Sequence, residues 1–269
     1  MVELFDTDLK QDNRQSSKGN QLKWENHGIW YKADYTGYEG LAEYIISHLL
    51  KKSSLNADEY VLYTPEQIRY KSTLFNGCTS RDFSAGLQVI TIERLFKNQY
   101  GIGLNAGIYA LQNVKERLLY LVNQVERTTG IKGFGIYLSK LLTLDAVFLN
   151  EDRHTHNISV LMGSDGSFKL CPIYDNGAAL LSDTTLDYPL GINIYDAIKT
   201  VKSKTLCSSL EEQHNIAEQV YGHTISFSWD KKDIDELLEN APMYSSEIKE
   251  RVREILLEQK RKYGYLFNS

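Results

Sequence analysis

The chain has 269 residues, of which 42% are hydrophobic and 24% are charged, and its formal net charge is -5 at pH 7. This length and composition support a substantial buried core in one or two domains, and the acidic balance argues against direct nucleic-acid binding, which usually requires a basic surplus. Because no apolar run approaches the ~20 residues that span a bilayer and the N-terminus is acidic and polar, we expect a cytoplasmic protein.

The N-terminal segment combines a polar loop with a strand that contains a lysine. The loop at residues 12–23 offers hydroxyls, an ammonium group and backbone N–H groups to phosphates through Ser16, Ser17, Lys18 and Gly19. It matches neither a Walker motif nor G-x-G-x-x-G, so a solvated loop is the open alternative. The next residues, GIWYKADY, predict a strand around Lys32. A lysine in an apolar strand either faces water at an edge or is buried with carboxylate partners.

An amphipathic helix is predicted directly after this strand. In YEGLAEYIISHLLKK the apolar residues repeat with helical spacing, and Glu39 and Glu43 lie on one face. Either glutamate is a candidate partner for Lys32, and both are also typical of a solvated helix face.

Two strands and an irregular insert are predicted next. YVLY at 60–63 and VITIERLF at 89–96 have strand patterns, whereas residues 64–86 form a mixed polar insert without a regular period. We place a domain boundary near Lys97, which divides the chain into residues 1–96 and residues 97–269.

Beyond this boundary the pattern becomes helical. Residues 110–130 carry an apolar stripe that stops at Gly130, a suitable C-terminal cap, and residues 134–150 predict a more apolar, buried helix. Further helices are predicted near 194–201, 209–221, 231–240 and 244–263.

The most informative segment follows the apolar helix. The loop NEDRHTHN at residues 150–157 is too polar for a core, and it leads into an apolar run, the turn sequence GSDG and a short strand that ends just before Asp175. We expect this hairpin to bring Asp152, Asn157 and Asp175 together. Their carboxylate and amide oxygens suit a Mg²⁺ ion whose coordination is completed by phosphate oxygens.

Two other interpretations of the polar loop are open. His154 and His156 lie beside Asp152, as in some zinc sites, but the chain has no HExxH motif and its three cysteines are widely spaced. The loop is also compatible with an ordinary connection whose acidic side chains cap turns.

The motif as a whole resembles a known catalytic arrangement. In protein kinases an Asp orients or deprotonates the acceptor hydroxyl, an Asn shortly after it holds metal, and a second Asp beyond a hairpin also holds metal. The pattern N-x-D-x-H-x-x-N at residues 150–157, followed by Asp175-Asn-Gly, resembles the HipA-like serine/threonine kinases, including the CtkA-type bacterial members. These kinases are distant relatives of the phosphoinositide 3/4-kinases.

The resemblance implies an α+β, two-lobed protein-kinase-like fold. The N-lobe, residues 1–96, would be a small antiparallel β-sheet with one helix, and the C-lobe, residues 97–269, would be mostly helical. In the N-lobe, Lys32 would hold phosphates of ATP and Glu43, rather than Glu39, would orient Lys32. The loop with Ser16, Ser17, Lys18 and Gly19 would cover the phosphates.

The resemblance also assigns roles around the catalytic loop. Asp152 would position the acceptor or take its proton, and His154 would brace the loop by hydrogen bonds. Asn157 and Asp175 would ligate Mg²⁺. At the hinge, the backbone of Glu93 and Leu95 would hydrogen-bond adenine.

The function implied is an ATP-dependent serine/threonine protein kinase that phosphorylates itself at Ser16 or Ser17. One alternative is a small-molecule or lipid kinase, because the sequence Asp152-Arg153-His154 resembles the corresponding motif of lipid kinases. A second alternative is a nucleotide-binding regulatory module with little catalysis. ATP, Mg²⁺ and a protein substrate are the expected partners. The chain lacks the larger N-terminal part of full-length HipA proteins, which leaves pairing with an antitoxin-like regulator open.

Overall fold

Strands dominate the first third of the chain and helices the remainder, as shown by the computed structural model, which describes residues 1–10 and 21–267. The strands are β1 (Val2–Leu4), β2 (Lys23–Asn26), β3 (Ile29–Ala33), β4 (Tyr63–Tyr70), β5 (Thr73–Arg81), β6 (Gln88–Thr91), β7 (Ser159–Met162) and β8 (Phe168–Leu170). The α-helices are α1 (Glu39–Leu49), α2 (Ile92–Tyr100), α3 (Leu104–Tyr109), α4 (Val114–Thr129), α5 (Phe134–Phe148), α6 (Ile194–Thr200), α7 (Leu210–Tyr221), α8 (Lys231–Glu239) and α9 (Ser246–Lys262).

Internal contacts divide these elements into two units. The first unit comprises Met1–Phe83, Tyr174–Thr200 and Phe227–Ser269, and the second comprises Ser84–Ile173 and Val201–Ser226. Each unit is therefore assembled from separate stretches of the chain. The lobe boundary near Lys97 stays a prediction.

A five-stranded sheet forms the centre of the first unit. Its strand order is β1-β4-β5-β3-β2, and all neighbours are antiparallel except β1 and β4, which are parallel. Leu4, Trp24, Ala33 and Ile68 form a buried apolar cluster on this sheet. The sheet places Lys32 on β3 between two neighbouring strands, opposite Lys23 on one side and Cys78 on the other.

The middle of this sheet was not predicted. Residues 64–86, expected to be an irregular insert, instead provide most of the β4–β5 hairpin, and the strand expected at 60–63 begins only at Tyr63. The turn at Lys71 has a positive φ of 54° without a glycine or asparagine, and Pro65 lies within β4. The hairpin therefore lacks the usual turn signal and contains a residue that normally argues against a strand.

Helix α1 packs directly against β3, β4 and β5. Its apolar face is buried, and its N-terminal turn approaches the sheet at two glycines: a Cβ on Gly40 would lie 2.5 Å from the backbone of Gly77, and a Cβ on Gly77 would collide with the Lys32 carbonyl oxygen. A side chain at Gly40 would push the helix away from the sheet, and one at Gly77 would disturb the pairing of β5 with β3. The glycines therefore keep α1, which carries Glu43, close to the strand that carries Lys32.

The remaining helices of the first unit form a chain of contacts that begins at α1. α8 contacts α1, and α9 contacts both α8 and α6. Fully buried Trp229 packs against the rings of Phe227 and Phe267. The helices predicted near 194–201, 231–240 and 244–263 are confirmed with small differences at their ends.

The second unit combines a three-stranded sheet with helices. β6 pairs with β7 and β7 with β8, all antiparallel, which confirms the hairpin predicted from GSDG. α5 is buried along almost its whole length and packs against α4 and α7. Among the described residues, no helix is long and apolar enough to cross a membrane.

Two predicted boundaries in the second unit are wrong. The strand expected over 89–96 stops at Thr91, whose side chain accepts the Arg94 N–H and so begins α2. The helix expected over 110–130 begins only at Val114, after Asn113 accepts the Glu116 N–H. In both places a side-chain cap satisfies backbone N–H groups of the first helical turn, which favours the start of a helix there.

Candidate active site

A buried lysine in the first unit is held between two carboxylates. Lys32 Nζ lies 2.5 Å from Glu43 Oε1 and 2.9 Å from Asp175 Oδ1. The Lys32 side chain is 11% exposed and that of Glu43 is 1% exposed, so Lys32 is not an edge residue that faces water. Burial by itself lowers the pKa of Lys32, but Asp175 and Glu43 outweigh this effect and raise the pKa well above its usual value. The ammonium group therefore stays charged.

Glu43 links this lysine to the backbone that follows Asp175. While Oε1 contacts Lys32, Oε2 accepts the Asn176 N–H at 2.8 Å. Asp175 itself has a positive φ of 61°, which is uncommon for a residue with a side chain. The Glu43 carboxylate thus supports both the lysine and the turn that presents the Asp175 side chain.

Glu39 has a different role from Glu43. Its carboxylate accepts the backbone N–H groups of Tyr35, Thr36 and Gly37 at 3.1, 2.7 and 3.2 Å. These bonds stabilise the turn that precedes α1. Of the two candidate partners, Lys32 therefore contacts Glu43, and Glu39 belongs to the turn.

Two further residues near this cluster, Tyr63 and Asp34, have no signal in the sequence that marks them as part of it. The Tyr63 hydroxyl lies 3.5 Å from Lys32 Nζ, and the Tyr63 ring centroid lies 5.1 Å from the same atom. The Asp34 carboxylate accepts the Gly40 N–H at 2.5 Å and the Tyr244 hydroxyl at 2.9 Å. Burial, together with nearby Glu39, raises the pKa of Asp34 to about 7.

The residues of the polar loop 150–157, in the second unit, form their own polar cluster. Asn157 Nδ2 donates to the Asp152 carbonyl oxygen at 2.8 Å and lies 3.3 Å from Asp152 Oδ2. Lys204 Nζ donates to Asp152 Oδ1 at 2.9 Å. Because the amide nitrogen of Asn157 is bonded to Asp152, its Oδ1 is the atom suited to a metal ion.

A buried ion pair holds this loop against α5. Arg153 Nε lies 3.2 Å from Asp145 Oδ1, and both side chains are buried. Arg153 Nη1 also donates to the Asn157 carbonyl oxygen at 3.4 Å. Burial raises the pKa of Asp145 to about 6, although Arg153 acts in the opposite direction. Arg153 therefore connects the C-terminal end of the loop motif to helix α5.

His154 braces the loop through its backbone, since its N–H donates to the Asp152 carbonyl oxygen at 3.0 Å and its carbonyl oxygen accepts the Asn157 N–H at 2.7 Å. Among the described residues, its buried Nδ1 has no hydrogen-bond partner, and its Nε2 lies 3.8 Å from Asp152 Oδ1. Burial lowers the pKa of His154, and the Asp152 carboxylate only partly opposes this shift. These features describe a neutral ring packed beside Asp152.

Glu93 supports the polar loop 150–157 through its side chain. The buried carboxylate accepts the Thr155 hydroxyl and the Asn105 N–H, each at 2.9 Å, and the Glu93 N–H donates to the Thr155 carbonyl oxygen at 3.3 Å. Leu95 is buried within α2. The adenine contacts assigned to the backbone of Glu93 and Leu95 stay predictions.

The remaining predictions concern phosphate and metal. The phosphate-loop residues Ser16, Ser17, Lys18 and Gly19 lie outside the described residues. Asp175 belongs to the first unit and Asp152 and Asn157 to the second, so their shared site stays a prediction.

The donor set nevertheless fits Mg²⁺. Asn157 and Asp175 offer the hard oxygen atoms that this ion prefers. Within residues 1–10 and 21–267, no cluster of three or more His, Cys, Asp or Glu side chains is arranged to hold a metal ion. A magnesium ion at these residues would therefore take the rest of its coordination from phosphate oxygens and water, as is usual at sites of phosphoryl transfer.

Comparison with known proteins identifies the fold. No protein-family model matches the chain, and a comparison with curated proteins finds no match. Among solved structures, the chain is similar to the Helicobacter pylori proinflammatory kinase CtkA, with a TM-score of 0.61, 16% sequence identity, and coverage of 97% of this chain and 95% of that chain. At this identity the likeness concerns the fold alone. The predicted α+β, protein-kinase-like fold is confirmed.

Proposed function

We propose that this chain is an ATP-dependent serine/threonine protein kinase of the HipA-like type. The observation that carries the proposal is Lys32 Nζ held between Glu43 and Asp175, at 2.5 and 2.9 Å. Kinases use a strand lysine, paired with a glutamate from the neighbouring helix, to hold phosphates of ATP. Burying one lysine with two carboxylates is costly for a protein unless the cluster has excellent geometry, and a nucleotide-binding role accounts for its retention.

The proposed reaction divides the work between the two clusters. Lys32 binds phosphate oxygens of ATP, and Glu43 keeps its ammonium group in place. Asp152 accepts a hydrogen bond from the acceptor hydroxyl and takes its proton. Asn157 and Asp175 would hold Mg²⁺, which would supply positive charge to neutralise the phosphates.

The lipid-kinase alternative has less support. It relies on the sequence Asp152-Arg153-His154, but the Arg153 guanidinium is buried against Asp145 and fixes the loop. This motif is therefore explained by the architecture of the loop, whichever acceptor the enzyme uses.

The test measures phosphoryl transfer from labelled ATP in the presence of Mg²⁺. We expect the wild type to label itself or a general protein acceptor such as casein, and Asp152→Asn and Asp175→Ala to lose about three orders of magnitude in rate, because positioning and charge neutralisation provide most of the catalysis. Asp165→Asn, in the exposed turn between β7 and β8, is the matched control and should retain the wild-type rate.

Three outcomes would contradict the proposal. Equal labelling by the wild type, Asp152→Asn and Asp175→Ala would exclude these residues from catalysis. Transfer to phosphoinositide vesicles but not to any protein would establish a lipid kinase. Tight ATP binding without any transfer would establish a nucleotide-binding regulatory module.

Self-phosphorylation at Ser16 or Ser17 is part of the proposal. A phosphate there would add nearly two negative charges to a loop expected to cover the phosphates of ATP, and should weaken ATP binding. Mass spectrometry of wild-type protein incubated with ATP should find phosphate on one of these serines, and none in Asp152→Asn. Phosphate found only at other positions would remove this loop from the proposed control.

A further inference from the structure

Asp152 has a lysine partner that comes from a distant part of the sequence. Lys204 Nζ donates to Asp152 Oδ1 at 2.9 Å, although the two residues are 52 positions apart. The Lys204 side chain is 40% exposed and that of Asp152 is 11% exposed. Lys204 is therefore the more exposed partner of the pair.

The backbone around Lys204 is fixed against the catalytic loop. The buried Thr205 hydroxyl donates to the Arg153 carbonyl oxygen, and the Tyr109 hydroxyl donates to the Lys204 carbonyl oxygen at 3.2 Å. One residue further on, Arg117 Nη1 donates to the Leu206 carbonyl oxygen at 2.8 Å. An ordinary surface lysine is mobile, whereas these bonds at Lys204 and at the two residues after it hold its main chain beside Asp152.

A lysine at this position could offset the repulsion between the Asp152 carboxylate and a phosphoryl group. A carboxylate that receives the proton of an acceptor hydroxyl must lie close to the phosphoryl group being transferred, and the two negative charges repel each other. An ammonium group has three N–H donors and can contact a carboxylate and a phosphoryl oxygen at the same time.

We propose that Lys204 is a catalytic residue that binds the transferring γ-phosphoryl group beside Asp152. This inference rests on the proposed kinase function and adds a residue to the same site. During transfer, the acceptor oxygen forms a bond to the γ-phosphorus, and the bond from that phosphorus to the β,γ-bridging oxygen breaks. ADP leaves with the electron pair of that bond, and the hydroxyl proton moves to the Asp152 carboxylate. Lys204 stays protonated and donates a hydrogen bond to a γ-phosphoryl oxygen.

The experiment compares Lys204→Met and Lys204→Arg with Lys202→Met in the full chain. Lys202 is exposed in the same loop and provides a matched control. We expect Lys204→Met to lower the rate of transfer at saturating ATP on the order of 100-fold, since it removes one preorganised donor to the transition state. The KM for ATP should change little, because the contact forms mainly in the transition state. Lys204→Arg should recover part of the rate, and Lys202→Met should match the wild type.

A second comparison separates contact with the phosphoryl group from an effect through Asp152. Adding Lys204→Met to Asp152→Asn should slow the residual transfer further, because the phosphoryl contact is lost independently of the carboxylate. If the double variant is no slower than Asp152→Asn, Lys204 acts only by positioning Asp152 and the proposal is overturned.

The remaining outcomes are also decisive. A wild-type rate for Lys204→Met, with Asp152→Asn inactive, would overturn the role of Lys204 and leave the kinase function intact. Equal losses for Lys204→Met and Lys204→Arg, accompanied by a lower melting temperature in both, would show a structural brace and overturn it as well. If the wild type transfers no more phosphate than Asp152→Asn, the kinase function fails and the inference fails with it.

Discussion

The two lysine–carboxylate clusters of this protein have similar chemistry but very different surroundings. Lys32 is 11% exposed and contacts two carboxylates, one of them on the almost completely buried Glu43. Lys204 is 40% exposed and contacts Asp152. Burial makes the first cluster sensitive to the loss of any member, whereas solvent screens the second. The same type of ion pair should therefore contribute much more to the stability of the fold in the first cluster than in the second.

The largest expected effect is on stability when Lys32 is removed. Lys32→Met leaves the Glu43 and Asp175 carboxylates without their shared cation, and we expect the free energy of unfolding to fall by about 3–5 kcal/mol. Denaturant unfolding measures this loss. Lys23→Met, on the neighbouring strand directly opposite Lys32, is the control and should change the free energy of unfolding much less. Equal denaturant midpoints of unfolding for Lys32→Met and Lys23→Met would show that the Lys32 cluster does not support the fold.

The second effect concerns a buried ion pair of the second unit, where burial should again make stability depend on the charge of one partner. Asp145 is buried against Arg153, and its pKa in the folded protein is raised to about 6. Between its ordinary pKa of about 4 and this value, the folded state holds a proton that the unfolded state has released. The unfolding free energy should therefore fall as pH rises through this window, by about 3 kcal/mol at most.

Asp145→Asn should remove this contribution. The difference in unfolding free energy between wild type and variant should change with pH between about 4 and about 6 and level off at higher pH. A difference that is constant over the whole range would contradict the raised pKa.

A smaller effect on stability is expected at Thr205, which follows Lys204 and anchors the backbone beside the Lys204–Asp152 pair. Thr205→Val removes the hydroxyl that donates to the Arg153 carbonyl oxygen, and should lower the free energy of unfolding by about 1 kcal/mol because a buried hydrogen bond is lost. The transfer rate should also fall, since Lys204 would lose part of its fixed position. Ser208→Ala, at an exposed position of the same loop, is the control for both measurements. An unchanged free energy of unfolding in Thr205→Val would show that the hydrogen bond from Thr205 to Arg153 does not stabilise the fold.

The smallest change in stability is expected when Lys204 is replaced. Lys204→Met should alter the free energy of unfolding by less than about 1 kcal/mol, because its ion pair with Asp152 is partly exposed. Measured in parallel with Lys32→Met, it should show a small stability change together with a large loss of transfer rate. A loss of stability as large as that of Lys32→Met would remove the distinction between the two clusters.

Local patterns in the sequence were enough to predict several features. Helical periodicity defined most helices closely, and GSDG identified the hairpin that precedes Asp175. The order of Lys32, Glu43, Asp152, Asn157 and Asp175 was enough to suggest a kinase-like fold, which the structural comparison confirms. These signals depend on side-chain type and short spacing, which are visible in the chain itself.

Other features depend on contacts between distant residues. The β4–β5 hairpin is stabilised by pairing with β1 and β3, and its residues show neither a regular alternation nor a common turn sequence. Nothing near Lys204 indicates that it would reach Asp152, and nothing near Glu93 indicates that its side chain would hold Thr155. Composition and spacing therefore determined the elements and the main motif, while the tertiary structure decided which charges are buried, because burial and pairing depend on segments that are far apart in the sequence.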